Sequence, residues 1–259
     1  LNLNLIYNSK CEFDANMNSH LGQYFKLDIS QYIMRVGTLM YYIDSLDRYH
    51  LAETYYSNST ETHKRFTDGL SLTLISYNND DTIIKIKDDK DNELEFSKQS
   101  NQSQNTTYYV LTKKTIKYNN ASISYHYNYE NNRLSSMYCS TDTNKVINFK
   151  YNSQGFINHI YITYENSNHE NIIYGAKLKY DDNFRIVAIN LITNGIEEIK
   201  YLLSYNSNNK LRYLANYKKQ VACSFIYDSN YKLENTRYGN ISFEVKGNND
   251  LRSEEHTSE

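Results

Sequence analysis

Between residues 149 and 233 the chain writes one short phrase four times. Tyr151-Asn152-Ser153-Gln154-Gly155-Phe156-Ile157 is followed by Tyr180-Asp181-Asp182-Asn183-Phe184-Arg185-Ile186. Tyr205-Asn206-Ser207-Asn208-Asn209-Lys210-Leu211 and Tyr227-Asp228-Ser229-Asn230-Tyr231-Lys232-Leu233 complete the set. Each unit has Tyr at position i, Asn or Asp at i+1, and Ile or Leu at i+6. An apolar residue (Phe149, Leu178, Leu203 or Phe225) stands two places before each Tyr. The tyrosines are separated by 29, 25 and 22 residues, and a shorter relative, Tyr129-Glu130-Asn131-Asn132-Arg133-Leu134, begins 22 residues earlier.

Such a unit reads as a hairpin. Two residues two positions apart face the same side of an incoming strand, and Asn or Asp then opens a tight turn by bonding nearby amides. The aliphatic residue starts the returning strand on the same face. One hairpin cannot bury that face alone, so neighbouring hairpins must pair edge to edge. Cross-strand pairs of this kind contribute about 0.2–1 kcal/mol each, so stability accumulates with repeat number.

Period two governs the rest of the chain as well. Leu1, Leu3, Leu5 and Tyr7 alternate with other residues, as do Phe25, Leu27 and Ile29, and Leu70, Leu72 and Leu74. Tyr41 to Leu51 reads as two strands around a polar turn. Ile84 and Ile86 lead through Asp88-Asp89-Lys90-Asp91-Asn92 to Leu94 and Phe96, a hairpin with an Asp/Asn turn. Ser97 to Thr107 is polar and reads as an exposed loop. Ile116 and Tyr118 run into Asn119-Asn120, with Ile123, Tyr125, Tyr127 and Tyr129 on one face beyond. No stretch keeps a 3.6-residue period over a dozen residues; Met34 to Leu46 comes nearest, but its β-branched and aromatic content favours strands. The fold class is all-β: antiparallel repeat hairpins joined into one long curved, open sheet. Residues 1–120 form a less regular β-rich segment and 121–250 the repeat hairpins.

Composition narrows the function. The chain has 28 Tyr against 9 Phe, with no Trp and no Pro. AT-rich codons account for abundant Asn and absent Pro, but they encode Phe as readily as Tyr. Selection has therefore favoured a ring with a polar tip, which suits half-buried sheet surfaces. A formal net charge of −2 gives no basic excess for nucleic acid. Mean hydropathy is −0.75, and no apolar run is long enough for a spanning helix. Cys11, Cys139 and Cys223 are odd in number and far apart, so buried free thiols are expected. The chain opens at Leu1 inside a strand pattern. Its last stretch, 251–259, ends in an octapeptide that resembles the translation of a sequencing-adapter oligonucleotide, so a fragment with a non-native tail is expected.

The repeat units resemble the YD repeats of the RHS family, whose pattern is Tyr-Asp, a short turn commonly with Gly and Arg, then Leu. The resemblance extends upstream. Leu5-Ile6-Tyr7-Asn8-Ser9 and Leu21-Gly22-Gln23-Tyr24-Phe25-Lys26-Leu27 are similar to strands that precede such repeats, with Tyr24 and Phe25 where Gly-Trp is usual. The hairpin from Ile83 to Phe96 is similar to the family's strand, Asp-rich turn and strand before the first repeat. Gly is missing from every unit but the one with Gly155; Phe184 and Tyr231 take its place, and Asn183 or Asn230 could supply the turn instead. The resemblance implies an RHS-type β-shell segment, secreted or at the cell surface, whose partner is a cargo or toxin domain of the same full-length chain. It implies structural repeat positions at Tyr129, Tyr151, Asn152, Gly155, Ile157, Tyr180, Asp181, Ile186, Tyr205, Asn206, Leu211, Tyr227, Asp228 and Leu233.

Other chemistry finds little footing. Asp89, Asp91 and Glu93 suggest a calcium loop, but Gly is absent at its sixth position and Ser100 stands at the twelfth, where a bidentate Glu belongs. His20, His50, His63, His126, His159 and His169 lack metal-ligand spacing. No nucleophile elbow, Cys–His arrangement or phosphate loop occurs, so no catalytic residue, metal or cofactor is expected. Exposed Tyr rings beside Asn and Asp could stack on sugars, which leaves a cell-surface adhesion or glycan-binding module as the alternative. The fixed repeat position of the tyrosines favours packing.

Overall fold

The computed structural model describes residues 3–8, 21–78, 80–100, 105–119, 121–165, 171–219, 221–230, 233–238 and 241–244. Expectations placed on Leu1, Cys11, His20, Asn120, His169, Tyr231 and the stretch 251–259 lie outside these residues. Every regular element among the described residues is a strand, and every pairing is antiparallel. β1 (Leu5–Tyr7) and β2 (Phe25–Leu27) form a pair of their own. The remaining strands build one sheet: β3 (Tyr32–Val36), β4 (Leu39–Ile43), β5 (Tyr49–Ser57), β6 (Glu61–Phe66), β7 (Thr73–Tyr77), β8 (Asp80–Lys87) and β9 (Glu93–Lys98). Then follow β10 (Thr106–Tyr118), β11 (Ala121–Glu130), β12 (Arg133–Cys139), β13 (Asp142–Tyr151), β14 (Ile157–Glu165) and β15 (Asn171–Tyr180). β16 (Ile186–Thr193), β17 (Ile196–Tyr205), β18 (Leu211–Asn216), β19 (Val221–Tyr227), β20 (Leu233–Tyr238) and β21 (Ile241–Glu244) complete it. The polar run read as a loop is shorter than expected, because Ser97 and Lys98 belong to β9 and Thr106 and Thr107 to β10.

The open sheet expected from the sequence needs correction in its first part. Each strand from β3 to β10 pairs with the next, and β10 pairs back with β3, closing an eight-stranded barrel. The cause is the 13-residue length of β10. On one edge, Tyr109 to Thr115 carry β9. On the other, Thr106 to Val110 carry β3, and Lys113 to Tyr118 carry β11. A register shift between Leu111 and Lys113 divides the two halves. One strand thus ends a closed ring and begins a second run of sheet, from β11 to β21.

Alternation fills the barrel. Ile33, Met40, Tyr42, Phe66, Leu74, Ile84, Ile86, Phe96, Tyr109 and Leu111 are buried on its inner face, as side chains fill a small barrel. The same core continues through Ile147, Phe149, Ile157, Leu178, Ile186, Leu203 and Leu211 of the second run. Leu21, Phe25 and Leu27 join it from the separate pair. That pair touches both runs. Gln23 N–H donates to the Phe184 carbonyl at 3.0 Å, and Leu211 N–H donates to the Tyr7 hydroxyl at 2.8 Å. On the barrel side the buried Lys26 ammonium pairs with Asp47, and Asn8 Nδ2 donates to the Leu46 carbonyl at 3.0 Å. Gly22 has φ +71°, and any Cβ there would collide with the Phe184 carbonyl oxygen.

Candidate functional site

The first three repeat units fold into the same turn, and the fourth shares its first side-chain bond. In the first, Asn152 N–H donates to the Phe156 carbonyl at 2.8 Å and Gly155 N–H to the Asn152 carbonyl at 3.0 Å. Asn152 Oδ1 accepts from the amides of Gln154 (3.1 Å) and Phe156 (2.9 Å). Asp181 Oδ1 accepts from Asn183 and Arg185, both at 3.0 Å, and Asn206 Oδ1 from Asn208 (3.0 Å) and Lys210 (2.9 Å). Asp228 Oδ1 accepts from Asn230 at 2.8 Å. The side chain thus holds amides that the sharp reversal leaves without ladder partners.

In the three units whose i+4 residue is described, that residue is left-handed. Gly155 has φ 89°, Phe184 φ 60° and Asn209 φ 62°. Asn183, which could have supplied the turn in place of the missing Gly, does not; Phe184 does. Its ring stands 5.3 Å from that of Phe156 in the preceding unit, and its carbonyl holds Gln23. These contacts offset the strain a bulky residue meets there. The unit at Tyr129 is shorter, with Asn131 and Asn132 both left-handed (φ 51° and 62°), which is the geometry of a two-residue hairpin turn.

A bulge follows every turn. Tyr151 faces Ile157 but Lys150 faces His159, leaving Asn158 extra. Tyr180 and Ile186, Tyr205 and Leu211, Tyr227 and Leu233, and Tyr129 and Leu134 repeat the arrangement. The carbonyl beside each of the first four bulges in chain order is then taken by the tyrosine of the next unit. Tyr151 hydroxyl donates to the Leu134 carbonyl at 2.8 Å, and Tyr180 to Ile157 at 2.7 Å. Tyr205 donates to Ile186 at 2.6 Å and Tyr227 to Leu211 at 3.0 Å. The structure thus brings Tyr129, Tyr151, Tyr180, Tyr205 and Tyr227 into one series with Leu134, Ile157, Ile186 and Leu211. Burial pushes the phenol groups of Tyr129, Tyr151, Tyr180, Tyr205 and Tyr227 well above their ordinary range.

Arginines brace the series. Arg185 Nε donates to Asp181 Oδ2 at 2.7 Å, its Nη1 reaches Asn209 Oδ1 at 2.6 Å, and its guanidinium lies 4.6 Å from the Tyr205 ring centre. Arg133 sits 5.4 Å from the Tyr151 ring. Burial alone would raise the Asp181 carboxyl, but hydrogen bonds from Arg185 outweigh it and hold the group below its usual range.

Two further turns with the same side-chain bonding, but without the bulge, lie in the barrel; the sequence marked both as polar turns but not as relatives of the repeat unit. Asp44 Oδ1 accepts from Leu46 (2.8 Å) and Arg48 (3.0 Å), with Asp47 left-handed at φ 63°. Asp88 Oδ1 accepts from Lys90 and Asn92, both at 2.9 Å, with Asp91 at φ 60°. Ile43 and Lys87 stand where Tyr would be. The available signal was Asp44 with Arg48, the same spacing as Asp181 with Arg185. Beside it, the buried His50 lies between Asp68 (Nδ1, 2.5 Å) and Asp44 (Nε2, 3.4 Å), stacked on Tyr42.

Among the described residues no group of three His, Cys, Asp or Glu is placed to hold a metal ion. Asp91 serves as a turn residue and Glu93 pairs with Lys85 at 2.8 Å. A cleft of about 730 Å³ opens where β11 leaves β10, lined by Ser97, Gln99, Thr112, His126, Tyr127 and Asn132 among others. No family model matches the chain, and no curated protein matches it either.

Proposed function

We propose that this chain is a structural segment of an RHS-type, YD-repeat β-shell, which encloses or displays an effector domain carried further along the same natural polypeptide. One observation carries the reading: the tyrosine hydroxyl of each unit caps the carbonyl beside the previous unit's bulge. A unit of this kind leaves a buried acceptor for its successor and satisfies one from its predecessor. That arrangement favours an array that grows in one direction, and an extended array curves, because bulges strengthen the twist of a sheet. The resemblance supplies the rest of the proposal: a toxin-like cargo as partner, and a secreted or cell-surface location.

The test is limited proteolysis of the natural full-length protein, with fragments identified by mass spectrometry. Protection of the region downstream of the repeats, in a protein whose exposed hairpins are cut, is the expected result. A downstream region cut as fast as an unfolded chain, or one made of wall-anchoring or membrane segments, overturns containment.

A further inference from the structure

We propose that the exposed end of the β5–β6 hairpin, where β5 is an edge strand and β6 pairs on with β7, binds a neutral oligosaccharide, with the rings of Tyr55, Tyr56 and His63 as its stacking platform. This does not rest on the shell reading. β4 pairs with β5 only as far as Ala52. Beyond that point the described partner of β5 is β6 alone, and every residue from Glu53 to Thr60 is exposed.

In a regular strand Tyr55 and Tyr56 would point to opposite faces. Here the register jumps: Thr54 faces Lys64, Tyr56 faces His63, and Tyr55 is the extra residue of a bulge. Bulges re-aim side chains. As a result both tyrosines meet the same imidazole edge-on, Tyr55 at 6.2 Å and Tyr56 at 5.3 Å between ring centres. The Arg65 guanidinium lies 4.2 Å from the Tyr55 ring centre, Asn58 Nδ2 donates to the Tyr56 hydroxyl at 3.0 Å, and His63 Nε2 bonds Glu61 at 2.7 Å. The rings are therefore held in place while Tyr55 remains 47% and Tyr56 48% exposed. None of the three belongs to the core. Holding rings fixed before contact lowers the entropy lost on binding.

The surroundings select the occupant. From Glu53 to Arg65 there is no aliphatic side chain, and Ile75, which faces His63 from β7, is buried; the rings stand among Thr54, Ser57, Asn58, Thr60 and Thr62. A protein-docking patch gathers apolar side chains in a buried centre. A pyranose instead offers a C–H face to a ring and hydroxyls to amides and side-chain hydroxyls, and this ribbon supplies both. Its charges balance, Glu53 and Glu61 against Lys64 and Arg65, so nothing singles out an anionic sugar.

The test applies the purified whole chain to an array of neutral and acidic oligosaccharides, then measures hits by calorimetry. Selective binding of neutral oligosaccharides is expected, weakened about tenfold or more in the Tyr55→Ala, Tyr56→Ala double variant, as loss of two ring contacts implies. The Tyr55→Phe, Tyr56→Phe pair keeps the rings and should stay within a few-fold of the parent. Tyr118→Ala, an exposed tyrosine elsewhere, should change nothing. Melting curves check that the variants remain folded, and His63→Ala gives an independent loss if the double variant does not. No neutral hit, hits confined to acidic sugars, or binding indifferent to both the alanine pair and His63→Ala would overturn the proposal.

Discussion

Placing a phenol in the core of a sheet leaves a polar atom to be satisfied, and Phe would avoid that cost. The four repeat tyrosines nonetheless keep the hydroxyl because the bulge of the preceding unit presents a carbonyl to receive it. Tyr180→Phe should therefore lower stability by about 1–2 kcal/mol, since it leaves the Ile157 carbonyl without that donor. Tyr49→Phe, at an exposed site, should cost almost nothing; equal melting temperatures for Tyr180→Phe and the parent would refute the assignment. Alkali should act on the same bonds. A phenol whose folded-state pKa is raised stabilises the fold fully below its unfolded value near 10, and that stability is lost as pH climbs toward the folded value. Unfolding followed by circular dichroism should thus begin above about pH 10 and coincide with tyrosinate absorbance. The excess of Tyr over Phe made a role for the hydroxyl legible in the sequence. Its partner was not legible, because donor and acceptor belong to different units and lie from 16 to 23 residues apart.

At the scale of the hairpin, the strict requirements are an Asx side chain at i+1 and a left-handed residue at i+4. The tyrosine at i is dispensable, as the turns at Asp44 and Asp88 show. Asp91 is left-handed and exposed, so Asp91→Gly should stabilise by about 0.5–1 kcal/mol in thermal melts. Gly155→Ala should do the opposite by about 1–2 kcal/mol: its φ is 89°, and a Cβ would stand 2.7 Å from Arg133 Nη2. Acid provides a separate probe. The folded Asp181 carboxyl is depressed, so its contribution is present above the unfolded value near 4 and lost as pH falls through the folded value. Asp181→Asn keeps the amide-accepting oxygen, as Asn152 and Asn206 do, but forfeits the Arg185 ion pair. Its stability, measured by urea unfolding, should be lower at pH 7 and should fall less than the parent's between about pH 5 and pH 2. An unchanged pH slope would assign the acid sensitivity to other carboxyls. Spacing alone made four of these turns legible. Phe184 was misjudged because tertiary contacts, with Phe156 and Gln23, override the backbone preference that pointed to Asn183.

For the molecule as a whole, alternation tells which face of a strand is buried but not whether the two edges of a sheet meet. That is why the all-β, antiparallel character was legible and the closure of β3 to β10 was not. Closure depends on a single strand long enough to serve two neighbours on one edge, and the polar run before β10 concealed its start. The pair β1 and β2 was likewise readable as strands, yet its position was not, because its contacts lie about 160 to 200 residues away in sequence at Phe184 and Leu211. This pair bonds the barrel through Asn8 and Lys26 and the repeats through Tyr7 and Gln23, so it adds a second coupling to the two stretches of sheet that β10 and a shared core already join. Gly22 lies against the Phe184 backbone. Gly22→Ala combines a left-handed backbone with a collision against a backbone atom that cannot rotate away, and should cost about 2 kcal/mol or more. The loss should be local. In hydrogen exchange the amides of Gln23 and Leu211, which donate to Phe184 and Tyr7, should lose protection, while Ile33 and Leu111 in the barrel keep theirs. Tyr7→Phe, which removes only the hydroxyl, should expose Leu211 and spare Gln23. If Gly22→Ala leaves Leu211 protected, the β1–β2 pair does not hold the repeats. If the barrel amides open along with it, the pair is part of one cooperative unit, and the two stretches of sheet do not unfold separately.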